Sequence, residues 1–205
     1  MKHNDVISPG EEKAWEILKG LKPVDVCTRA LVSYEKELNI YRLDSFGMDF
    51  YISPLKKEIK TQNPEGEVLL KKFSYFYIHS VLWYLINAKD IPLSGRLVKP
   101  DHIRGGEFFF RGSHRLPFDK LAERYSNNKA GFIRRGKDLS ARILDYGDAS
   151  LELLPLPRMP ITLILWTDDE EFHPGVDLLF DSTCEIHLSI DIIWSAAMLT
   201  VLVML

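Results

Sequence analysis

The chain has 205 residues, 46% of them hydrophobic and 27% charged, which excludes a disordered protein and predicts one globular domain over residues 1–205. Its net charge of −3 gives no reason to expect nucleic acid or an anionic membrane as a partner. Two cysteines are too few for a disulfide framework or a cysteine-only zinc site, and the polar N-terminal residues lack an apolar signal core. These features predict a cytoplasmic protein.

Capping signals and apolar spacing predict the elements of the first half. Ser8, Pro9 and Glu11 have the spacing of a capping box and predict the start of a helix. Strands are predicted at residues 38–43 and 48–52, with a third near 56–60, and Gly47 suits the tight turn between the first two. The sequence Asn63-Pro64-Glu65-Gly66 is typical of a turn.

Residues 69–87 give the strongest helix prediction, because apolar side chains recur at helical spacing on nearly every side. Such a helix is expected in the middle of a core. His79 lies within it and is interpreted as a hydrogen-bonded histidine, because no second metal ligand stands three or four residues away.

The second half combines helices with the most apolar strand of the chain. Helices are predicted from Pro117 and over residues 129–144, with Ile143 facing inward. Residues 161–166 read as a strand buried on both faces, which forms a hairpin with 176–180 next to a further strand at 150–154.

Residues 192–205 are almost wholly apolar but fall short of the roughly 20 residues that span a bilayer. A buried C-terminal helix is therefore predicted, with a tail anchor as the alternative. The fold class follows: α+β, a mainly antiparallel sheet packed against an apolar central helix and this C-terminal helix.

The segment from Arg104 to Arg115 is the first candidate site, because arginines bind anions, glycines admit a ligand close to the backbone, and aromatic rings stack on planar groups. Arg158 lies between two prolines, which restrict its backbone and can aim its side chain. The predicted ligand-binding residues are Arg104, Gly105, Gly106, Arg111, His114, Arg115 and Arg158. The alternative interpretation is an ordered loop with solvated arginines.

Two further clusters carry weaker predictions. Asp181, Cys184 and His187 are spaced so that they could form a nucleophilic set, or could be structural. The acidic run Asp168–Glu171 with His173 has oxygen ligands for a hard cation, yet it lacks calcium-loop spacing and suits a solvated hairpin loop equally well. No metal site is predicted, and the cofactor is unknown.

Several phrases together resemble an uncharacterised family, domain of unknown function 3786: GGEFFFRGSH, LAERY, GDASLELLPLPRMPITLILWTDDEEF and LLFDSTCEIHL. Some members of that family carry an extra four-cysteine iron–sulfur domain and occur in anaerobic bacteria and archaea. The resemblance therefore implies a setting of one-carbon, corrinoid or redox metabolism. This chain has only Cys27 and Cys184, so it departs from those members, and no catalytic residues carry over.

These observations predict a cytoplasmic binding or accessory protein that holds an anionic or planar, cofactor-like small molecule, or a partner enzyme. One alternative is a hydrolase or transferase that uses His114 or His187 with Asp181. Another is a structural subunit of a homo-oligomer. The sequence contains no complete catalytic motif that would decide whether the protein is an enzyme.

Overall fold

A computed structural model describes residues 8–168 and 173–205, apart from the side chains of residues 108, 110 and 113. The fold is α+β, as predicted. The helices are α1 (Pro9–Gly20), α2 (Pro23–Ala30), α3 (Pro64–Lys72), α4 (Ser74–Asn87), α5 (Phe118–Tyr125), α6 (Lys129–Asp138), α7 (Cys184–His187) and α8 (Ile190–Met204). The strands are β1 (Ser33–Glu35), β2 (Ile40–Ser45), β3 (Met48–Ser53), β4 (Glu58–Thr61), β5 (Leu97–Val98), β6 (Arg142–Leu144), β7 (Ala149–Leu156), β8 (Met159–Trp166) and β9 (Gly175–Asp181).

The strands form two antiparallel sheets where the sequence suggested one. The first has the order β1-β2-β3-β4, and the second has the order β5-β9-β8-β7-β6. The predicted hairpin is confirmed, because Ile161 of β8 stands opposite Phe180 of β9 and Trp166 stands opposite Gly175. β8 lies at the centre of the second sheet, and its residues from Met159 to Leu165 are buried, which explains why its sequence is apolar without alternation.

The two sheets are joined where β2 meets the end of β7. The Phe46 backbone N–H donates to the Leu154 carbonyl at 2.8 Å, and the buried Ser45 hydroxyl donates to the Pro155 carbonyl at 2.8 Å. The turn beyond β2 requires glycine, since Gly47 has φ +73° and a Cβ there would lie 2.0 Å from the Ser140 Oγ.

The predicted central helix is confirmed, but it begins one turn later than its apolar pattern. A break at Phe73 (φ −121°, ψ 23°) divides residues 64–87 into α3 and α4. The predicted turn at Asn63 is instead the N-cap of α3, where its side chain accepts from the backbone N–H groups of Glu65 and Gly66 at 2.8 and 3.3 Å. An asparagine followed by a proline is typical of a turn and also of the start of a helix. The helix forms here because α3 packs against β4 and α4.

α4 is covered mainly by other helices, namely α1, α2, α3 and α8. It reaches the first sheet through Tyr77, whose ring lies 4.6 Å from that of Phe50. α8 packs along α4 and also against β7. Its 15 residues span ~22 Å at 1.5 Å each. Within the described residues, no helix has the length and apolarity to cross a membrane.

The predicted helix over residues 129–144 is too long. α6 ends at Asp138, Ser140 takes the left-handed region at φ 56°, and the chain continues as the edge strand β6. The prediction that Ile143 faces inward is wrong, because its side chain is 47% exposed. The extended strand β6 pairs with β7 at the edge of the second sheet, and there the Ile143 side chain projects into solvent and not into the core that a helix would have faced.

The central position of β8 leads to a stability prediction. Leu163 is fully buried, whereas Leu154 on the neighbouring strand is 39% exposed. Leu163→Asp places a charge without a partner in the core and should abolish soluble folding. Leu154→Asp is the matched control and should remain soluble with a cooperative thermal transition. A soluble, cooperatively melting Leu163→Asp protein would contradict the position given to β8.

Candidate ligand-binding cleft

A cleft of about 470 Å³ lies between α4, the start of α8 and the Arg104–Arg115 segment. α4 contributes Tyr75, Phe76 and His79 to its wall, and the segment contributes Phe109 and His114. The first turns of α8 contribute Ile190, Asp191, Ile192, Trp194 and Ser195. This volume falls in the range of small-molecule sites, roughly 300–1,000 Å³.

Aromatic rings dominate the wall. The rings of Phe76 and Trp194 meet edge to face at 5.5 Å, and the Trp194 ring meets His114 in the same manner at 5.2 Å. Tyr75, whose side chain is 65% exposed, packs against His79 at 4.7 Å. Such rings present apolar faces and fixed geometry, so the wall is suited to a flat ligand.

The hydrogen bonds of His79 determine its tautomer. Nδ1 lies 2.9 Å from the Tyr75 carbonyl oxygen, which can only accept, so Nδ1 carries a proton. In the neutral ring Nε2 is therefore an acceptor. The Ser8 hydroxyl donates to it from 3.5 Å, at the outer limit of a hydrogen bond, while accepting from the Glu11 N–H at 3.2 Å.

Two residues of the predicted segment reach the cleft. Trp194 donates its ring N–H to the His114 carbonyl at 2.5 Å, which ties the segment to α8. Phe109 is fully buried, and its ring lies 5.8 Å from that of Phe180 on β9. The segment is thus held between α8 and the second sheet.

The three arginines of the segment are exposed, and none is among the described residues that line the cleft. The Arg115 guanidinium pairs with Asp119 at 2.5 Å. Arg104 receives support through its backbone, whose N–H donates to the Glu185 carboxylate at 2.9 Å. Arg111 immediately precedes the short 3₁₀ turn Gly112–His114. The structure therefore places these arginines around the segment and not at a common point in the cleft.

The two glycines of the segment have structural reasons to be glycine. Gly105 has φ +82°, a region that side chains disfavour. A Cβ on Gly106 would lie 1.6 Å from the Pro100 carbonyl oxygen, so any other residue at this position would clash with that backbone. Gly105 also faces the cleft rim, since its Cβ would lie 3.6 Å from Ile190.

Arg158 lies away from the cleft and is buried, with its guanidinium bound inside the fold. Nε donates to the Arg29 carbonyl at 2.7 Å, Nη1 to the Ile91 carbonyl at 2.6 Å, and Nη2 to the Thr28 carbonyl at 3.2 Å. Nη2 also contacts the Asp90 carboxylate at 2.6 Å. The Arg158 side chain between these prolines does have a fixed direction. However, the groups that it binds belong to the protein and not to a ligand.

Asp181 holds a turn. Its carboxylate accepts from the backbone and hydroxyl of both Ser94 and Thr183 and from the Gly95 N–H, at 2.7–3.1 Å. Burial raises the pKa of Asp181, but the hydrogen bonds from Thr183 and Ser94 outweigh it, so the pKa lies below its ordinary 3.8. These bonds occupy the carboxylate that the hydrolase alternative assigned to a histidine.

Cys184 and His187 are both buried, on the short helix α7. Burial raises the pKa of the Cys184 thiol to about 12, which disfavours the nucleophilic thiolate. His187 Nδ1 accepts from the Lys89 N–H at 3.1 Å, and its Nε2 has no hydrogen-bond partner among the described residues. The set therefore resembles packing and capping groups more than an exposed catalytic centre.

The acidic run Asp168–Glu171 lies mostly outside the described residues, which resume at His173. Asp168 itself is anchored by its backbone N–H, which donates to the Ser126 carbonyl at 3.1 Å. In residues 8–168 and 173–205, no three His, Cys, Asp or Glu side chains are grouped closely enough to hold a metal ion.

Most of the cleft wall was not predicted as a site. Tyr75, Phe76, Asp191 and Trp194 lie on helices whose apolar pattern indicates core. His79 gave the one sequence signal of a site, as an ionisable residue in an otherwise apolar helix. That it lines a cleft follows only from the packing of α8 beside α4.

Comparison with known proteins gives one match. The family model described as domain of unknown function 3786 matches residues 22–202. The chain belongs to this family. No curated protein and no solved structure matches the chain. Every residue that lines the cleft falls within the matched range, so the cleft is a feature of the family domain of this chain.

The contacts of Arg158 predict a structural role that stability measurements can check. Arg158→Ala removes a buried side chain and the donor to the carbonyls of Thr28, Arg29 and Ile91, and it should lower the free energy of unfolding by ~3 kcal/mol. Arg104→Ala, at an exposed site, should change it by less than ~0.5 kcal/mol. Equal denaturant midpoints for the two variants would show that the Arg158 contacts are not needed for stability.

The environment of His187 predicts a pH dependence. Burial lowers its pKa below the ordinary 6.5, and the charge of Arg158 lowers it further, while Asp181 opposes both. Between the lowered folded value and 6.5, the unfolded chain binds a proton that the folded chain does not. The free energy of unfolding should therefore fall as the pH drops below 6.5.

The measurement is chemical denaturation at a series of pH values. His187→Asn keeps an acceptor for the Lys89 N–H and should flatten the dependence in this window, whatever its overall stability. His102→Asn is the control, because His102 is exposed, and it should retain the wild-type slope. A wild-type slope in His187→Asn would assign the effect to other groups.

Proposed function

We propose that this protein binds a planar small molecule in the cleft between α4, α8 and the Arg104–Arg115 segment. The observation that carries the proposal is the wall itself, in which Tyr75, Phe76, Phe109 and Trp194 surround about 470 Å³. Aromatic walls with few polar groups are typical of sites that recognise flat, partly apolar ligands. The proposal keeps the planar ligand predicted from the sequence.

The cleft is built from rigid parts, which supports a binding role. α4 and α8 are long packed helices, and the segment is fixed by the Trp194–His114 hydrogen bond and the buried Phe109 ring. A site that is already in its binding geometry loses little conformational entropy when a ligand enters. The polar side chains of the wall, which include His79, His114, Asp191 and Ser195, would set the orientation of that ligand.

The arginines that motivated an anionic ligand stand outside the described wall, so they do not support that part of the prediction. Binding to a partner enzyme and a cytoplasmic location stay parts of the proposal that rest on the sequence alone.

The test is a titration with acridine, a neutral planar three-ring compound, followed by its own fluorescence and by tryptophan emission. Trp194→Ala removes a ring from the wall and should weaken acridine binding by roughly tenfold, which corresponds to about 1.4 kcal/mol of lost stacking. Trp166→Ala is the matched control, because Trp166 is 45% exposed at the end of β8 and does not line the cleft.

Circular dichroism melts should show both variants folded. Absence of acridine binding by the wild-type protein, or equal loss in the two variants, would contradict the proposed site. If acridine binds as expected, mass spectrometry of molecules that co-purify from native cells would identify the natural compound.

A further inference from the structure

The polar groups of the cleft select a class of planar ligand, and this inference rests on the proposed function. Apart from two histidines, the wall has one charged side chain among its described residues, the carboxylate of Asp191. Asp191 is exposed, and no lysine or arginine of the described residues lies within ion-pair distance of it. This carboxylate can therefore accept a donor or a positive charge from a ligand.

The helix end beside Asp191 weakens this negative field but does not reverse it. Asp191 stands in the first turn of α8, where the helix contributes roughly half a positive charge. The full charge of the carboxylate exceeds this contribution. Ser195, also on the wall, uses its hydroxyl proton within the helix by donating to the Asp191 carbonyl at 2.9 Å, so it offers a ligand its lone pairs.

The aromatic rings of the wall also favour a positively charged ligand. The face of an aromatic ring is the negative end of its quadrupole, so indole and phenol rings attract cations that lie over them. Trp194 and the exposed ring of Tyr75 both line the cleft. Acceptors and aromatic faces together favour a ligand that is flat and carries positive charge or N–H donors.

We infer that the cleft binds a cationic or N–H-donating nitrogen heterocycle, with its ring against Trp194 and its donor groups toward Asp191. An anionic planar compound is disfavoured at this site, because it would bring a second negative charge close to the Asp191 carboxylate.

The test compares two derivatives of one ring: 9-aminoacridine, a cation at neutral pH, and acridine-9-carboxylate, an anion. We expect 9-aminoacridine to bind about tenfold more tightly at low salt, within the range of one charge-assisted hydrogen bond. Raising the sodium chloride concentration should reduce this preference, since the carboxylate is exposed. The salt series needs no variant, so it does not depend on the folding of any mutant.

Asp191→Asn removes the charge and should reduce the preference for 9-aminoacridine to about twofold or less. Asp25→Asn is the matched control, because Asp25 is also exposed in the first turn of a helix, α2, outside the cleft. The control variant should keep the tenfold preference, and thermal melts of both should show intact folding.

The possible outcomes separate the two proposals. If neutral acridine binds with the expected dependence on Trp194 but the anion binds as well as the cation or better, the charge inference is wrong and the planar site stands. If the preference persists unchanged in Asp191→Asn, the carboxylate is not its source and the inference is likewise wrong. If none of the three acridines binds, the proposed function and the inference fail together.

Discussion

The apolar surface of α4 is the constraint on which the rest of this structure depends. A helix with apolar side chains on nearly every side must be covered on every side, because each exposed ring or aliphatic chain costs burial free energy. α1, α2, α3 and α8 provide that cover, and the first sheet adds Phe50 against Tyr77. The cover is incomplete at the N-terminal turns of α4, where Tyr75, Phe76 and His79 face a cleft.

The second sheet is tied to the helices by a polar junction. Tyr84 on α4 donates its hydroxyl to the Ala30 carbonyl at 2.9 Å and accepts from the Arg158 N–H at 3.0 Å. The Arg158 guanidinium then donates to backbone carbonyls in the last turn of α2 and after α4. Carbonyls at the end of a helix have no partner within that helix, so one arginine with five donors can join the end of α2, the segment after α4 and the turn between β7 and β8.

The contrast between Arg158 and the exposed arginines shows how position decides what a cation does. Arg104, Arg111 and Arg115 lie close together in sequence beside aromatic residues, yet their side chains are exposed around the segment. The groups that enter the cleft from this segment are a buried phenylalanine and a histidine. The charge near the candidate site therefore comes from Asp191 on another helix, and it has the opposite sign to the charge expected from the local sequence.

The sequence by itself determined the elements whose signals are local. The central strand β8 and its hairpin, the apolar α4 and the buried α8 all follow from runs of side chains that are close along the chain. Local signals failed where two structures use the same residues, as at Asn63, which caps a helix where a turn was expected, and at Ile143, which lies on an edge strand. In both cases the neighbouring elements decide between conformations of similar local free energy.

Only the tertiary structure decided where the chemistry lies. The cleft brings together residues near position 75, near 110 and near 190, and no spacing rule connects positions so distant in sequence. Arg158 illustrates the same limit, because a proline-flanked arginine can be aimed equally well at a ligand or at a carbonyl of its own chain. Which of these it meets depends on the packing of α2 and α4 beside the β7–β8 turn, and that packing is a property of the whole core.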